Sequence, residues 1–234
     1  RKYVDSKLGD FFVAVNNTTS WPEKLRDSEK PTPLFYYHGD IGLVEMPSVS
    51  IVGSRKASDD GTKRARRLAR ELVESGYVVV SGLAKGIDTA AMRSAIDSGG
   101  RVIGVIGTPI DECYPKENRP LQDEVAAHHL LVSQVPLYKY SKQPFKTRRF
   151  YFPERNELMA AISDATVIVE ASDTSGTLTQ ARACRHQGRP LFILRSCYEN
   201  PDVEWPRKWA QRDNVHVIDG TDQILEVLRD GRNG

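Results

Sequence analysis

Short runs of apolar, often β-branched residues alternate along the chain with segments whose apolar residues recur at helical spacing. The short runs lie at 49–52, 77–80, 102–106, 130–132, 166–169, 191–194 and 215–218. The helical spacing, at intervals of three and four, lies at 65–73, 87–96, 121–129, 154–162, 178–186 and 224–228. Buried strands alternating with amphipathic helices predict an α/β fold, a Rossmann-like, doubly wound and mostly parallel sheet with helices on both faces.

The first part of the chain gives weaker signals. Residues 1–46 contain one short apolar patch at Phe11–Val13, then Trp21-Pro22 and the Pro31-Thr32-Pro33 stretch. We predict an irregular N-terminal extension over 1–46 and one Rossmann-like ligand- or DNA-binding domain over 47–234.

Composition is that of a soluble globular protein. Of 234 residues, 39% are apolar and 27% charged, with no run of apolar residues able to span a bilayer and no secretory signal at the start. The cysteines Cys113, Cys184 and Cys197 are few and widely spaced, which favours a reducing compartment and a cytoplasmic protein. We expect neither a bound metal nor a cofactor.

Net charge is only +2, so any preference for nucleic acid must come from local clusters. Five basic residues lie between Lys63 and Arg70, and we interpret them as a solvated helix face. A second cluster, which includes Lys146, Arg148 and Arg149, alternates with aromatic residues over 138–151. Basic side chains neutralise phosphates and aromatic faces stack on bases, so nucleic-acid binding and an idle flexible loop are equally good interpretations of this segment.

The turns that follow the predicted strands carry small, hydroxyl-bearing and basic residues. Ligands of open α/β sheets bind beyond the carboxyl ends of the strands, where a following helix can also direct free N–H groups at an anion. The first turn offers Gly53, Ser54, Arg55 and Lys56; the second offers Gly82, Lys85 and Gly86; a later one offers Ser175, Gly176 and Thr177. Three such turns at one edge predict a phosphate-binding site.

The common nucleotide-binding and hydrolase motifs are not found. No G-x-G-x-x-G follows the first strand, and neither a G-x-x-x-x-G-K-[ST] loop nor a G-x-S-x-G elbow occurs. These observations argue against dinucleotide-dependent redox chemistry, nucleoside-triphosphate hydrolysis and a serine hydrolase.

Several segments, in order and spacing, resemble the DNA-processing protein A family (DprA, also called Smf). The resemblance runs from about Trp21 to Leu194 and is most specific in SGLAKGID, residues 81–88. Further matches are WPEKL (21–25), LFYYHGD (34–40), VSIVGSR (49–55), YPKEN (114–118), FPERN (152–156), VEA (169–171) and SGTL (175–178).

The resemblance implies a Rossmann-like core that binds single-stranded DNA, forms homodimers and presents the strand to a RecA-type recombinase during DNA uptake and natural transformation. It adds Arg155 and Asn156 to the candidate phosphate- and DNA-binding residues. With the basic segment, the full set is Gly53, Ser54, Arg55, Lys56, Gly82, Lys85, Gly86, Lys146, Arg148, Arg149, Arg155, Asn156, Ser175, Gly176 and Thr177.

The chain also departs from the family pattern. Met92 stands where histidine is usual, Arg195-Ser196 replaces a Pro-Gly turn, and Glu157 replaces a basic residue, which would put a negative charge near the phosphates. The family's winged-helix domain and a complete N-terminal helical domain are not recognisable. A second hypothesis is therefore a DprA-like regulatory, antitoxin or anti-phage defence module that senses a nucleotide or nucleic acid and controls a toxin or effector partner.

A third hypothesis is an enzyme. Residues 154–180 also resemble nucleotide phosphoribohydrolases of the cytokinin-activating type, through Arg155 and Gly176-Thr177. Cleavage of an N-glycosidic bond needs a carboxylate near the developing cation, and Gln180 stands where those enzymes carry an acidic residue. Asp88, Glu170 and Asp173 are the alternatives for that role, and we favour binding over catalysis.

Overall fold

Every predicted strand is found in the computed structural model, which describes residues 11–233, and all belong to one nine-stranded sheet. The strands are β1 (Phe12–Val15), β2 (Leu34–Gly39), β3 (Ser48–Val52), β4 (Val78–Ser81), β5 (Val102–Ile106), β6 (Leu130–Ser133), β7 (Ala165–Ile168), β8 (Leu191–Leu194) and β9 (Val215–Ile218). Their spatial order is β1-β2-β6-β5-β4-β3-β7-β8-β9. The seven strands from β6 to β9 are parallel, whereas β2 pairs antiparallel with both β6 and β1.

Helices connect the parallel strands, as the alternation in the sequence predicts. They are α1 (Asp59–Glu74), α2 (Ile87–Asp97), α3 (Arg119–His128), α4 (Leu137–Lys142), α5 (Phe145–Arg148), α6 (Tyr151–Ile162), α7 (Thr177–His186), α8 (Arg195–Tyr198), α9 (Trp205–Trp209) and α10 (Thr221–Asn233). Short 3₁₀ turns lie at Glu23–Leu25, Ile41–Glu45 and Lys116–Asn118. No helix within 11–233 has the length and apolar character needed to cross a membrane.

The sheet is buried on both faces, which explains why its central strands are apolar throughout. Val78 and Val80 of β4 pack into one hydrophobic cluster, and Val79 between them packs into the other. Helix α6 contributes Leu158 and Met159 to the first cluster, and α1 contributes Leu68 and Leu72 to the second. Both layers are needed, because parallel strands expose an apolar surface on each side.

The connections place a topological switch point between β3 and β7. From β3 the chain builds β4, β5 and β6 outward on one side, and it then returns to build β7, β8 and β9 on the other side. Connections that leave neighbouring strands in opposite directions open a crevice at the carboxyl edge of the sheet. The turn after β3 and the turn after β7 are therefore brought together.

Our prediction of an irregular extension over residues 1–46 is wrong for the two strands within it. Strand β2 joins the sheet by pairing Tyr36 with Ser133 of β6, and β1 pairs with β2 at the edge. Phe12, Val13 and Val15 remain exposed on that edge. Each of these strands has a single buried residue, Ala14 in β1 and Phe35 in β2, so burial does not impose on them the β-branched apolar run that marks the central strands.

The basic-aromatic segment is helical rather than a loop. It forms α4 and α5, and α6 begins at Tyr151, before the predicted start at Glu154. Pro153 falls in the first turn of α6, where a missing N–H costs little because the residue four positions earlier, Arg149, lies outside the helix. Trp205 and Trp209 of α9 are buried in the first hydrophobic cluster.

Candidate nucleic-acid interface

The turn after β3 is held in place by its neighbours on both sides. The Ser54 amide donates to the Glu170 carbonyl at 2.9 Å, and the Ile87 amide at the start of α2 donates to the Ser54 carbonyl at 3.2 Å. Arg55 and Lys56, which follow, are exposed and form no ion pair with any residue of 11–233. This turn thus offers two mobile positive charges on a fixed backbone.

The turn before α7 brings hydroxyl groups to the same place. The Ser175 hydroxyl contacts that of Thr177 at 2.9 Å and accepts the Thr177 amide at 3.1 Å. The Thr177 hydroxyl in turn donates to the Gly53 carbonyl at 3.1 Å, which links the two turns across the switch point. Gly176 lies between Ser175 and Thr177 in the chain, and a Cβ built on it would meet no heavy atom within 4 Å.

Other candidate glycines are required by packing within the protein. A Cβ on Gly53 would lie 2.6 Å from Ile87, and one on Gly86 would lie 2.3 Å from the Ser54 carbonyl oxygen. Gly86 also has a φ of +77°, a conformation that favours glycine. Gly53 and Gly86 are therefore needed for packing within the protein, whereas Gly176 has open space beside it.

The helix starts also have fewer free N–H groups than the sequence suggests. At α2, Thr89 donates to the Ala84 carbonyl in addition to the Ile87 bond, and at α7 the Thr177 amide is capped by Ser175. Because these donors are occupied, the helix amides offer fewer hydrogen bonds to an anion than the side chains of Arg55 and Lys56 do.

Arg155 and Asn156, on the first turns of α6, line the bottom of a cleft between the ends of β3 and β7. Arg155 is buried, and its guanidinium donates to the carbonyls of Gly82 at 2.9 Å and Val105 at 2.6 Å and to the Asn156 side chain at 2.9 Å. Burial lowers its pKa to about 10, which leaves it cationic at neutral pH. These donors hold the protein together, so Arg155 contributes charge and shape to the site.

The carboxylate of Asp88 lies near Arg155 in the same cleft. It is buried and accepts the amides of Gly82 at 3.2 Å and Ala84 at 3.4 Å, which shapes the SGLAKGID turn. Burial raises the pKa of Asp88, and the nearby charge of Arg155 opposes that rise. Asn118 supports the same turn by donating to the Leu83 carbonyl at 2.8 Å.

These groups surround one cleft of about 410 Å³ at the switch point. Nine of the predicted residues line this cleft: Gly53, Ser54, Arg55, Lys56, Arg155, Asn156, Ser175, Gly176 and Thr177. Gly82 and Lys85 line a smaller adjoining recess of about 50 Å³, and Gly86 lines neither. Lys85 is less available than Arg55, because its ammonium lies 2.8 Å from the Glu117 carboxylate.

An aromatic ledge borders the cleft, and the predicted set did not include it. Phe152 lines both the cleft and the recess, Arg55 lies over its ring at 5.9 Å, and the exposed Tyr114 packs edge-on against it at 5.8 Å. Gly107 leaves room for this ring, since a Cβ there would be 2.6 Å from it. Both aromatics fall inside motifs quoted above, but only the fold brings them together.

Lys146, Arg148 and Arg149 do not line this cleft. Their segment borders a second cleft of about 570 Å³ on the other side of α6. Arg148 stacks on Tyr140 at 4.6 Å and donates to the Gln143 carbonyl, whereas Lys146 and Arg149 are exposed. Arg149 lies over the ring of the exposed Phe150 at 5.4 Å, a pair that is open to solvent.

The expectation that Glu157 places a negative charge near the phosphates is wrong. Its carboxylate lines the second cleft, where it accepts Lys30 at 2.9 Å and contacts His186 at 3.4 Å. Arg155 and Asn156 line the first cleft, whereas Glu157, the next residue of α6, lines the second cleft on the other side of the helix. Met92, the other departure, is fully buried in the core, and Arg195 forms a bidentate pair with Asp219.

The comparisons with known proteins agree with one another. The sequence profile of the DNA recombination-mediator protein A family matches residues 12–229. DNA processing protein DprA of Streptococcus pneumoniae is 38% identical over 174 residues, 74% of this chain and 59% of that protein. DprA of Bacillus subtilis is 31% identical over 213 residues, 91% of this chain and 69% of that protein. Protein Smf of Synechocystis is 37% identical, and the chain spans 52% of its length.

Solved structures extend the likeness to the fold. The S. pneumoniae DprA structure superposes with a TM-score of 0.81 at 32% identity, covering 96% of this chain and 77% of that one. DNA processing protein A from Helicobacter pylori, whose single-stranded DNA binding mode has been described, gives 0.77 at 26% identity, covering 94% and 96%. A molybdenum cofactor carrier protein from Chlamydomonas reinhardtii gives 0.53 at 15% identity and shares the fold alone.

Proposed function

This chain belongs to the DNA recombination-mediator protein A family, and on that premise we propose that it binds single-stranded DNA in the cleft between β3 and β7. One observation carries the proposal. Arg55 and Lys56, which form no ion pair within residues 11–233, stand on a fixed turn and line the same cleft as the open backbone of Gly176. A phosphodiester group fits this arrangement, because cationic side chains neutralise it and an open glycine admits its oxygens.

The aromatic ledge favours a single strand over a duplex. Phe152 is half-buried and Tyr114 exposed, and they border the cleft beside Arg55. Bases can stack on such rings only when they are free of a complementary strand. A phosphate seat next to a stacking surface therefore matches a nucleotide of a single strand, with the base on Phe152 and the phosphate near Arg55.

We extend the proposal to the biological setting that the family suggests. Relatives named as DNA processing proteins indicate a role in DNA uptake and recombination. In that role the chain would act as a homodimer and present its bound strand to a RecA-type recombinase. The chain spans 59% of the length of the S. pneumoniae relative, so the dimer, the recombinase contact and the role in DNA uptake are proposals about a whole protein of this family.

The carboxylates that an N-glycosidic hydrolase would need are engaged elsewhere. Asp88 lines the cleft but is buried and bonded to backbone amides. Glu170 accepts the amide and hydroxyl of Ser58, and Asp173 accepts the amides of Glu204 and Trp205. Gln180, at the cleft floor, is 1% exposed and donates to Thr166. This distribution favours binding over catalysis.

The test is a fluorescence-polarisation titration with single- and double-stranded oligonucleotides at two salt concentrations, with mononucleotides as competitors. We expect preference for the single strand and an affinity that falls steeply with salt, because bound phosphates release counterions. Tight binding of a mononucleotide with little salt dependence would instead support the nucleotide-sensing module that regulates a partner. Equal binding of duplex and single strand would contradict the stacking role of Phe152.

A further inference from the structure

A groove continues from the cleft along the carboxyl edge of the sheet. The cleft shares Ser54, Lys56 and Ser172 with a neighbouring depression of about 400 Å³. That depression is bounded on its far side by Arg64 of α1 and Ser196 of α8. Both of these residues also line a third hollow, of about 310 Å³, beside the ends of β8 and β9. The groove therefore crosses β3, β7 and β8 in succession.

Arg64 differs from most basic residues of its helix. Lys63 pairs with Asp60 at 3.2 Å, Arg67 with Glu71 at 2.6 Å and Arg70 with Glu74 at 3.9 Å. Arg64 is exposed and has no ion pair with the residues in 11–233. A guanidinium without an ion pair keeps its donors for an external anion, and Arg64 lines the depression together with Lys56, which also has no ion pair among the described residues.

Most negative groups of the groove are already occupied; the exception is Glu199 in the third hollow, which forms no ion pair with the residues of 11–233. In the depression, Glu170 accepts the Ser58 amide at 2.8 Å and the Ser58 hydroxyl at 2.7 Å. In the third hollow, Arg195 is held by Asp219 and Arg67 by Glu71. The third hollow is lined by three arginines and three carboxylates, so it has no net positive charge to attract the phosphates of a strand beyond Arg64. The start of α1 adds nothing, since Ser58 caps it and Asp59 and Asp60 follow.

We infer that Arg64 and Lys56 form a second phosphate seat for the same DNA strand. This inference rests on the proposed function, because it needs a first phosphate near Arg55. One end of the strand would leave the cleft across β7 toward β8, and the other end would leave on the opposite side, toward the basic segment around α5. Hydroxyls of Ser172 and Ser196 along the groove offer further hydrogen bonds to the backbone of the strand.

The experiment compares a short and a long oligothymidylate, of about 4 and about 16 nucleotides, the span of site sizes known for OB-fold single-strand binders. Binding is measured by fluorescence polarisation over a salt series for the unmodified chain, Arg64→Ala, Arg64→Lys and Arg66→Ala. Arg66 is the matched control, because it is an exposed, unpaired arginine of α1 that lines none of the groove.

Arg64→Ala should weaken binding of the long strand about three- to tenfold and lower its salt slope by about 0.7, the value for one phosphate contact with a single strand. Binding of the short strand should not change, Arg64→Lys should restore most of the loss, and Arg66→Ala should match the unmodified chain. Normal long-strand binding by Arg64→Ala overturns the second seat, as does an equal loss on both strands or an equal loss in Arg66→Ala. If the unmodified chain binds neither strand, the proposed function itself is refuted.

Discussion

The guanidinium of Arg155 donates a hydrogen bond to the carbonyl oxygen of Gly82 at 2.9 Å, across the edge where β4 ends. The same nitrogen reaches the Val105 carbonyl at 2.6 Å, so one side chain of α6 ties together the ends of β4 and β5. A Cβ on Gly82 would lie 2.2 Å from that nitrogen. Glycine is thus needed at position 82, because a larger residue would take the space in which the Arg155 guanidinium reaches both carbonyls.

Arg155→Met should destabilise the fold. The change leaves two buried carbonyls without a donor and removes the positive charge near Asp88, at a cost of about 3 kcal/mol in the free energy of unfolding. Urea denaturation followed by circular dichroism measures the loss. Arg155→Lys keeps the charge but not the planar set of donors, and it should fall between Met and the unmodified chain. An unchanged urea midpoint for Arg155→Met would show that the buried hydrogen bonds contribute nothing net.

Gly176→Val should abolish binding of single-stranded DNA while the chain stays folded. The added side chain meets no protein atom within 4 Å of its Cβ and therefore projects into the space for the phosphate. Gly86→Val is the contrasting variant, because its Cβ collides with the Ser54 carbonyl and its φ is +77°. It should lower the melting temperature markedly. A Gly176→Val variant with normal affinity would exclude Gly176 from the phosphate seat.

Arg55→Ala should weaken binding more than Lys85→Ala does. Arg55 is unpaired beside the aromatic ledge, whereas Lys85 donates to Glu117 at 2.8 Å, a hydrogen bond that also lowers the pKa of Glu117. We expect a loss of about three- to tenfold for Arg55→Ala at moderate salt, the size of one phosphate contact. Dissociation constants from polarisation titrations decide the order, and equal losses would mean that the Lys85 pair opens on binding.

Replacing Lys146 and Arg149 together should lower the salt slope of the long oligonucleotide by up to about 1.4, since each contact with a single strand contributes about 0.7. Arg148→Ala should change the slope little, because that guanidinium is stacked on Tyr140 and bonded to Gln143. Binding isotherms over a salt series measure the three slopes. No change in the double variant would show that the segment around α5 is a solvated surface.

Acidification should destabilise the chain through His129. Burial lowers the pKa of this imidazole, and the neighbouring charge of Arg101 lowers it further, so the folded protein protonates it at a lower pH than the unfolded chain does. The unfolded chain protonates it near pH 6.5, so it binds more protons below that pH and stability falls as the pH falls.

We therefore expect a lower free energy of unfolding at about pH 5.5 than at about pH 7. His216, whose pKa burial also lowers, adds in the same direction. Urea titrations at the two pH values measure the loss, and His129→Gln should reduce it. An identical pH dependence in that variant would assign the effect to other groups.

Local patterns were sufficient for the central sheet and for the edge at which the site lies. The apolar runs from Val49 to Ile218 predicted every parallel strand, because strands buried on two faces need continuous apolar residues. Parallel strands end at one edge, so the turns at Gly53 and Ser175 were expected to meet, and they do. The same patterns missed β1 and β2, in which only Ala14 and Phe35 are buried.

Only the tertiary structure decided which way individual side chains face and which groups already have partners. It turned Glu157 toward Lys30 and away from the cleft, buried Arg155 against two carbonyls, and placed Tyr114 against Phe152. Sequence spacing fixes the face that a residue occupies on its own element. The partner across the interface depends on how elements distant in sequence pack, and that packing is set by the whole core at once.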